Sequence, residues 1–273
     1  MTFPRHGRLT TSAVLVIALG LRAMAADGLF GTTLRPSPRE LLHRVEQLYG
    51  RPVREKIDNR LPAGVFGYSA VTPDGGPVIA INDNEEDAKS EENIVHELFH
   101  LKMQAEGYPL FEFTGAEAEA HKSYLVTMRT LIYDPLTHAQ FFPDMKRMGL
   151  DPEAHLRALY RFYRKNGMQR SEDGLALYFF KLAIETNDNA LISDAATWYE
   201  EQGWRTALDK GRALVRIARA NNSGSPSELA SIVIACANRL LQGKARLRLL
   251  RIESREYGSI HRNFAIIEVV TGD

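Results

Sequence analysis

Cysteine is almost absent from this chain of 273 residues, which holds only Cys236. A single cysteine cannot form an intrachain disulfide, and it cannot build a zinc site made of thiolates. Cys236 lies in the apolar run SIVIACANRL with no visible base beside it, so we interpret it as a buried structural thiol and not as a nucleophile. A metal site in this chain would therefore have to be made of histidine and carboxylate side chains.

A charge excess of either sign is also absent, because 34 basic and 34 acidic residues give a formal net charge of +0. This balance provides no global attraction to nucleic acid, to a membrane surface or to an acidic partner. A basic tract does run from Lys244 to Arg262, but it is short and has no pattern of base-stacking aromatic residues. We interpret the tract as a solvated surface, and we expect no nucleic-acid partner.

The chain has neither a fixed-period repeat nor an apolar run near its N-terminus that is long enough for a stable membrane span. The run from Ala13 to Leu21 follows Arg5 and Arg8 and precedes the small residues of Ala23-Met24-Ala25. This order is typical of an export signal. We therefore predict a signal peptide over residues 1–26 and a periplasmic or secreted protein; the alternative is a cytoplasmic protein with an N-terminal helix.

The most informative stretch that is present is EENIVHELFHLKMQ, from Glu91 to Gln104. Residues four apart share one face of an α-helix, so His96 and His100 can bind one metal ion. Zn²⁺ is the natural ion, and two histidines leave room for a third ligand and a water. Glu97 is placed to act as the general base toward that water. The pattern predicts metal-assisted hydrolysis of an amide bond.

The surrounding sequence predicts several further elements. An amphipathic helix is expected from Pro38 to Gly50, and the runs GVFGYSAVTP and GPVIAIND are expected to form two strands joined by a turn. The last apolar run, FAIIEVV, is a candidate strand. Helical periodicity in the second half covers residues 151–165, 171–186, 190–201, 204–219 and 226–242.

A second helix is predicted from Ala116 to Tyr133, with Asp134-Pro135 as its end. Glu117 and His121 share one face of this helix, whereas Glu119 points about 200° away from Glu117. The two carboxylates therefore cannot serve the same metal ion.

The segments VIAIND, IVHELFH and GAEAEAHKSYL together resemble the compact gluzincin-type zinc peptidases, including the bacterial family that cleaves repressors. The resemblance covers about a third of the chain, from Pro38 to Pro135. It implies a small zincin-like sheet, a bound Zn²⁺ and a Glu-x-x-Ala pattern that carries the third ligand. Glu117-Ala118-Glu119-Ala120 matches that pattern, so the resemblance implies that Glu117 joins the two histidines. Ser123-Tyr124-Leu125 departs from the aromatic residue and alanine that usually follow, which weakens the subfamily assignment more than the zinc assignment.

Other readings of these residues stay open. Thr114 to Glu117 also matches a capping box, in which Glu117 would bond to the start of its helix, and His121 or Glu119 would then be the ligand. Three further side chains are candidates for stabilising an oxyanion, although packing or surface roles explain each of them more simply. These three are Tyr108, Tyr124 and His138.

The prediction for the whole chain is a mostly helical α+β fold with an active-site helix beside a small sheet and an all-helical C-terminal half. We expect a metallopeptidase domain over residues 27–135 and a helical region over 136–273, which either is separate or packs with the preceding part as one domain. The expected function is hydrolysis of a peptide or protein substrate, with Glu97 as the base and His96, His100 and Glu117 as the zinc ligands. The alternative is a non-catalytic helical binding protein in which a fourth side chain, such as Glu119, His121 or His138, closes the zinc site.

Overall fold

The structure, a computed structural model, describes residues 27–62, 64–221, 224–242, 245–258 and 260–271. The predicted signal peptide, residues 1–26, lies outside these ranges. Within them, none of the helices combines the length and the apolar character that crossing a bilayer requires.

The N-terminal part places one helix and a three-stranded sheet around the helix that carries His96. A two-residue hairpin, β1 (Gly28–Leu29) and β2 (Thr32–Thr33), precedes α1 (Pro36–Tyr49). Strands β3 (Arg54–Ile57), β4 (Gly67–Val71) and β5 (Pro77–Ile81) form a sheet in the order β3-β5-β4. The β4–β5 pair is antiparallel, as the turn sequence predicted, and β3 adds in parallel to the other side of β5. Helix α2 (Glu91–Ala105) follows and contacts α1, where the Tyr49 hydroxyl donates to the Leu101 carbonyl at 2.9 Å.

The rest of the chain is helical up to a long C-terminal hairpin. Strand β6 (Leu110–Thr114) leads to the short helix α3 (Ala116–Ala120) and the long helix α4 (Lys122–Arg147). The hairpin pairs with β6 in the order β6-β8-β7, with β6 parallel to β8. The remaining elements are α5 (Ala154–Asn166), α6 (Glu172–Glu185), α7 (Asn189–Glu201), α8 (Arg205–Ala220), α9 (Pro226–Leu241), β7 (Ala245–Tyr257) and β8 (Ile260–Thr271).

This architecture confirms the prediction of a mostly helical α+β fold. The five helical segments predicted between residues 151 and 242 correspond to α5 to α9, and FAIIEVV lies in β8. The C-terminal half is not purely helical, because Arg246, Arg248, Arg251 and Arg255 of the basic tract lie in β7 and Arg262 lies in β8. Several arginines of β7 form ion pairs with carboxylates on the same strand or on other strands. Arg255, for example, pairs with Glu112 of β6 at 2.6 Å.

The largest difference from the sequence prediction is the length of α4. The helix does not end at Asp134-Pro135 but continues through Pro135 to Arg147. Proline inside a helix removes one backbone hydrogen bond and costs about 3 kcal/mol. Burial offsets this cost, because Ile132 and Leu136 enter one apolar core and Phe141 enters a second one, and each such side chain contributes about 1.5 to 3 kcal/mol.

Helix α4 therefore joins the two parts that the sequence separated. The predicted boundary at residue 135 falls inside α4, which contacts α2, α6 and α9 and contributes side chains to both apolar cores. Strand β6, from the first predicted part, is hydrogen-bonded to β8 from the second. The two cores thus meet along one continuous helix, and the candidate site lies where they meet.

Candidate metal centre and cavity

Helix α2 holds His96 and His100 one turn apart, as predicted. The Ser90 hydroxyl accepts a hydrogen bond from the Asn93 backbone N–H at 3.3 Å, which caps the start of the helix. One face of the helix is fixed in the core by Ile94, Val95, Leu98, Phe99, Leu101 and Met103, all buried. The histidines lie outside that face, and their Nε2 atoms are 3.1 Å apart.

The third member of the group is His138 on α4. Its Nε2 atom lies 3.2 Å from the Nε2 atom of His100, and all three donor atoms lie within 4.8 Å of one another. Nitrogens bound to one zinc ion at 2.0 to 2.1 Å in tetrahedral geometry are about 3.3 Å apart. His96, His100 and His138 can therefore hold one metal ion, and no fourth His, Cys, Asp or Glu of the described ranges joins them.

Glu117 does not occupy the position that the resemblance implied. Its carboxylate lies 3.7 Å from His121 Nε2 on α3, and it is not part of the metal-binding group. The capping box is not formed either, because the residue before α3 is Gly115 and no side chain caps the helix. Glu119 points to the surface and pairs with Lys122 at 3.2 Å. None of these side chains closes the three-histidine group.

The backbone between β6 and α4 explains why Glu117 lies away from the three histidines. Gly115 has φ 101°, and a Cβ atom there would lie 2.6 Å from the Val269 carbonyl oxygen. This close approach to β8 holds α3 against the C-terminal hairpin, away from α2. Helix α4 does contact α2, and His138 lies in its second half.

A buried carboxylate orients His138 from behind. His138 Nδ1 lies 2.6 Å from Glu185 Oε1 on α6, and the Glu185 side chain is fully buried. Lys181 Nζ, one turn earlier on α6, donates to the same oxygen at 2.6 Å. The carboxylate thus fixes the proton on Nδ1 and leaves the Nε2 lone pair facing the other two histidines.

Burial keeps the three imidazoles neutral near pH 7. It is the main cause that lowers the pKa of His100 to about 4 and the pKa values of His96 and His138 well below the ordinary value. Neutral imidazoles offer lone pairs, and three Nε2 atoms so close together cannot all be satisfied by hydrogen bonds to one another. A cation satisfies all three at once, so the donor set fits a metal ion.

Aromatic rings enclose the group on one side. The ring of Phe141 meets the imidazoles of His96, His100 and His138 edge-on, with centroids 5.2 to 5.4 Å apart. Phe142 stacks on His138 at 5.2 Å. These buried rings exclude water from that side, so the group is open only toward a cavity.

The cavity has a volume of about 400 Å³ and is open to solvent. All three histidines line it, together with Glu97 and Ser69 of the edge strand β4. Burial raises the pKa of Glu97 to about 7, and the nearby hydroxyl and backbone N–H of Ser69 oppose this rise. The carboxylate of Glu97 is thus held at the wall of the cavity that the metal ligands share.

Of the three side chains predicted as candidates for stabilising an oxyanion, Tyr108 and Tyr124 do not line the cavity, whereas His138 does. The Tyr124 hydroxyl donates to Asp173 at 3.1 Å outside the cavity, and Tyr108 packs against both apolar cores. Tyr133 lines the cavity instead, and its hydroxyl makes no hydrogen bond to a described residue. Burial raises its pKa, so the hydroxyl stays protonated and able to donate.

Sequence reasoning missed Glu185 and Ser69 as parts of this site, and it considered His138 only as an oxyanion stabiliser or as a fourth ligand, not as the third ligand. One signal for Glu185 was present, because Lys181 and Glu185 are an i,i+4 pair within the otherwise apolar helix GLALYFFKLAIE. Burying a charged pair in such a helix costs free energy, so the presence of the pair indicates a functional role. The position of His138 beside the other two histidines was not predicted, because Pro135 was assumed to end the helix that carries it.

Comparisons of the chain with models of protein families, with curated proteins and with solved structures found no match. The assignment of a function therefore depends on the residues and geometry of the site.

Proposed function

We propose that this protein is a zinc-dependent peptidase. The observation that carries the proposal is that the Glu97 carboxylate and the Nε2 atoms of His96, His100 and His138 line one open cavity. Three histidines with an open fourth position form a known type of catalytic zinc site, whereas structural zinc sites are usually closed by four protein ligands. The geometry favours this set over the two histidines and one glutamate of the gluzincin-type peptidases.

The chemistry divides between the ion and the chain. When bound, zinc would polarise the scissile carbonyl and lower the pKa of a water molecule. Glu97 takes a proton in the cavity and later donates it to the leaving amine, and Ser69 holds the carboxylate in position for both transfers. Tyr133 presents a protonated hydroxyl to the same space and is a candidate donor to the oxyanion.

The sheet supports a peptide as the substrate. Strand β4 is the edge of the sheet β3-β5-β4, and its residues Gly67, Tyr68 and Ser69 line the cavity. An extended peptide can bind beside such an edge through main-chain contacts. The cavity volume of about 400 Å³ falls in the range of sites that bind small ligands or short peptide segments.

The test combines metal content with turnover. Purified wild-type protein is expected to bind about one zinc and to cleave a mixture of unstructured peptides, detected by mass spectrometry. Glu97→Gln is expected to retain the zinc and to lose about 10²- to 10⁴-fold in kcat, because a positioned proton acceptor contributes about that much.

Glu106→Gln is the matched control, because Glu106 caps the end of the same helix and pairs only with Lys102 on the surface. It should leave turnover unchanged. A wild-type protein that binds no zinc would argue against the proposal, and so would a Glu97→Gln protein that cleaves at the wild-type rate.

A further inference from the structure

A single unpaired arginine lines the cavity at some distance from the histidines. Helix α4 carries four basic side chains, and three of them form ion pairs, Lys122 with Glu119, Lys146 with Glu153 and Arg147 with Asp144. Arg129 is the exception, because it makes no ion pair or hydrogen bond with any residue that the structure describes.

The guanidinium group of Arg129 lies near the cavity walls rather than away from them. Burial raises the pKa values of Tyr133 and Asp134, which also line the cavity, and the charge of Arg129 opposes this rise, yet Arg129 lies beyond ion-pair distance of the Asp134 carboxylate. Apart from the histidines, which burial keeps neutral, Arg129 is the one basic side chain among the described residues that line this space. Arginine presents a planar fork of donors that matches a carboxylate in two parallel hydrogen bonds.

A second arginine nearby, the buried Arg262, already has partners. Arg262 donates to Gln104, a lining residue, at 2.8 Å and packs over the rings of Tyr257 and Phe264. It does not itself line the cavity. The free positive charge at this end of the cavity is thus that of Arg129.

We infer that Arg129 binds a carboxylate of the substrate and so selects peptides with a negative charge at a defined distance from the cleaved bond. This inference rests on the proposed function, since it names the substrate class of the same cavity. Nine residues of helix separate Arg129 from His138, which corresponds to about 13 Å along the axis. With the reach of the arginine side chain, the carboxylate lies about two to four residues from the scissile bond of an extended peptide.

Two sources of this carboxylate lead to different activities. A free C-terminus would make the protein an enzyme that removes short C-terminal peptides, whereas a glutamate or aspartate side chain would direct cleavage within a chain. Both sources share the same chemistry at Arg129, and the experiment separates them.

The experiment measures binding, so it does not depend on turnover. The probe is a library of acetylated hexapeptides without acidic residues, prepared with a free carboxyl terminus and with an amidated terminus, and a third amidated library that contains one glutamate. Binding to zinc-loaded Glu97→Gln protein is measured by equilibrium dialysis with mass spectrometry. At least one carboxylate-bearing library should bind about ten- to a hundredfold more tightly than the neutral one, the range expected for hydrogen bonds between charged partners.

The preference should disappear when Arg129→Gln is added and should be reduced but retained in Arg129→Lys, which keeps the charge without the fork. Arg161→Gln is the matched control, because Arg161 on α5 is exposed, unpaired within the described chain and outside the cavity. Equal binding of all three libraries would overturn the inference, as would a preference that survives in Arg129→Gln. Hydrolysis by the wild-type protein tests the proposed function separately, so the two can fail independently.

Discussion

Replacing Glu185 tests whether the buried carboxylate behind His138 belongs to a metal centre. The side chain of Glu185 is fully buried and accepts from His138 Nδ1 at 2.6 Å, and its second oxygen, Oε2, has no hydrogen-bond partner among the described residues. Such an arrangement raises the basicity of the ligand and fixes its tautomer. The perturbation of choice is Glu185→Gln, which keeps an acceptor for Nδ1 but removes the negative charge.

The expected effect is a weaker metal site in a folded protein. Loss of an outer-shell partner typically lowers metal affinity about 10- to 100-fold, which corresponds to about 1.4 to 2.7 kcal/mol. The loss of zinc affinity should lie near the lower end of this range in Glu185→Gln and near the upper end in Glu185→Ala, because alanine leaves His138 Nδ1 with no acceptor. The assay is competition for Zn²⁺ against a chromophoric chelator at neutral pH, with thermal unfolding of the metal-free proteins recorded alongside.

Glu153→Gln provides the matched control. Glu153 is also a buried carboxylate, and it pairs with Lys146 and with the hydroxyl of Thr186, the residue after Glu185, but it touches no metal-binding histidine. Zinc affinity in Glu185→Gln equal to that of the wild type would refute the reasoning. An equal loss in both glutamine variants would refute it as well, since the effect would then reflect general destabilisation.

Two further predictions concern the ligand set and the charge of the cavity. His138→Ala should lose zinc as completely as His96→Ala, whereas Glu117→Ala should retain one zinc per chain. The metal content of each variant, measured by mass spectrometry, checks this prediction. Retention of zinc by His138→Ala would exclude the three-histidine set. Burial raises the pKa of Asp134 from 3.8 to about 6 in the folded protein. As the pH rises, the carboxyl group therefore ionises first in the unfolded chain. The contribution of this group to stability is fully present below pH 3.8 and is lost between pH 3.8 and about pH 6. Asp134→Asn should therefore raise the free energy of unfolding of the metal-free protein by about 3 kcal/mol at pH 7 and by little at pH 4; a gain of the same size at both pH values in urea titrations would contradict this cause.

Local signals in the sequence were sufficient for most of the elements. Helices α5 to α9 follow the periodicity of their apolar residues, and the turn between β4 and β5 follows from Pro73-Asp74-Gly75-Gly76. The position of His96 and His100 also follows from the sequence, because residues i and i+4 of any helix are neighbours. These features depend on contacts within a few residues of chain, which a sequence pattern records directly.

The resemblance to a peptidase family drew attention to α2 but implied a third ligand, Glu117, that the structure does not bring to the two histidines. Glu117 occurs at the expected place along the chain, yet Gly115 and β8 hold its helix away from α2. Whether a residue after the first two ligands meets them depends on how the intervening backbone turns. That turn is set by the pairing of β6 with β8, about 150 residues apart in the chain.

By itself the sequence determined the helical α+β class, the pair of histidines on α2 and Glu97 beside them. Only the tertiary structure decided that α4 continues through Pro135, that His138 completes the group, and that Glu185 supports it from α6. The physical reason is that local preference favours ending a helix before a proline, whereas burial of side chains from α4 in two separate cores outweighs that preference. The free energy that completes the site thus comes from contacts between residues far apart in the chain.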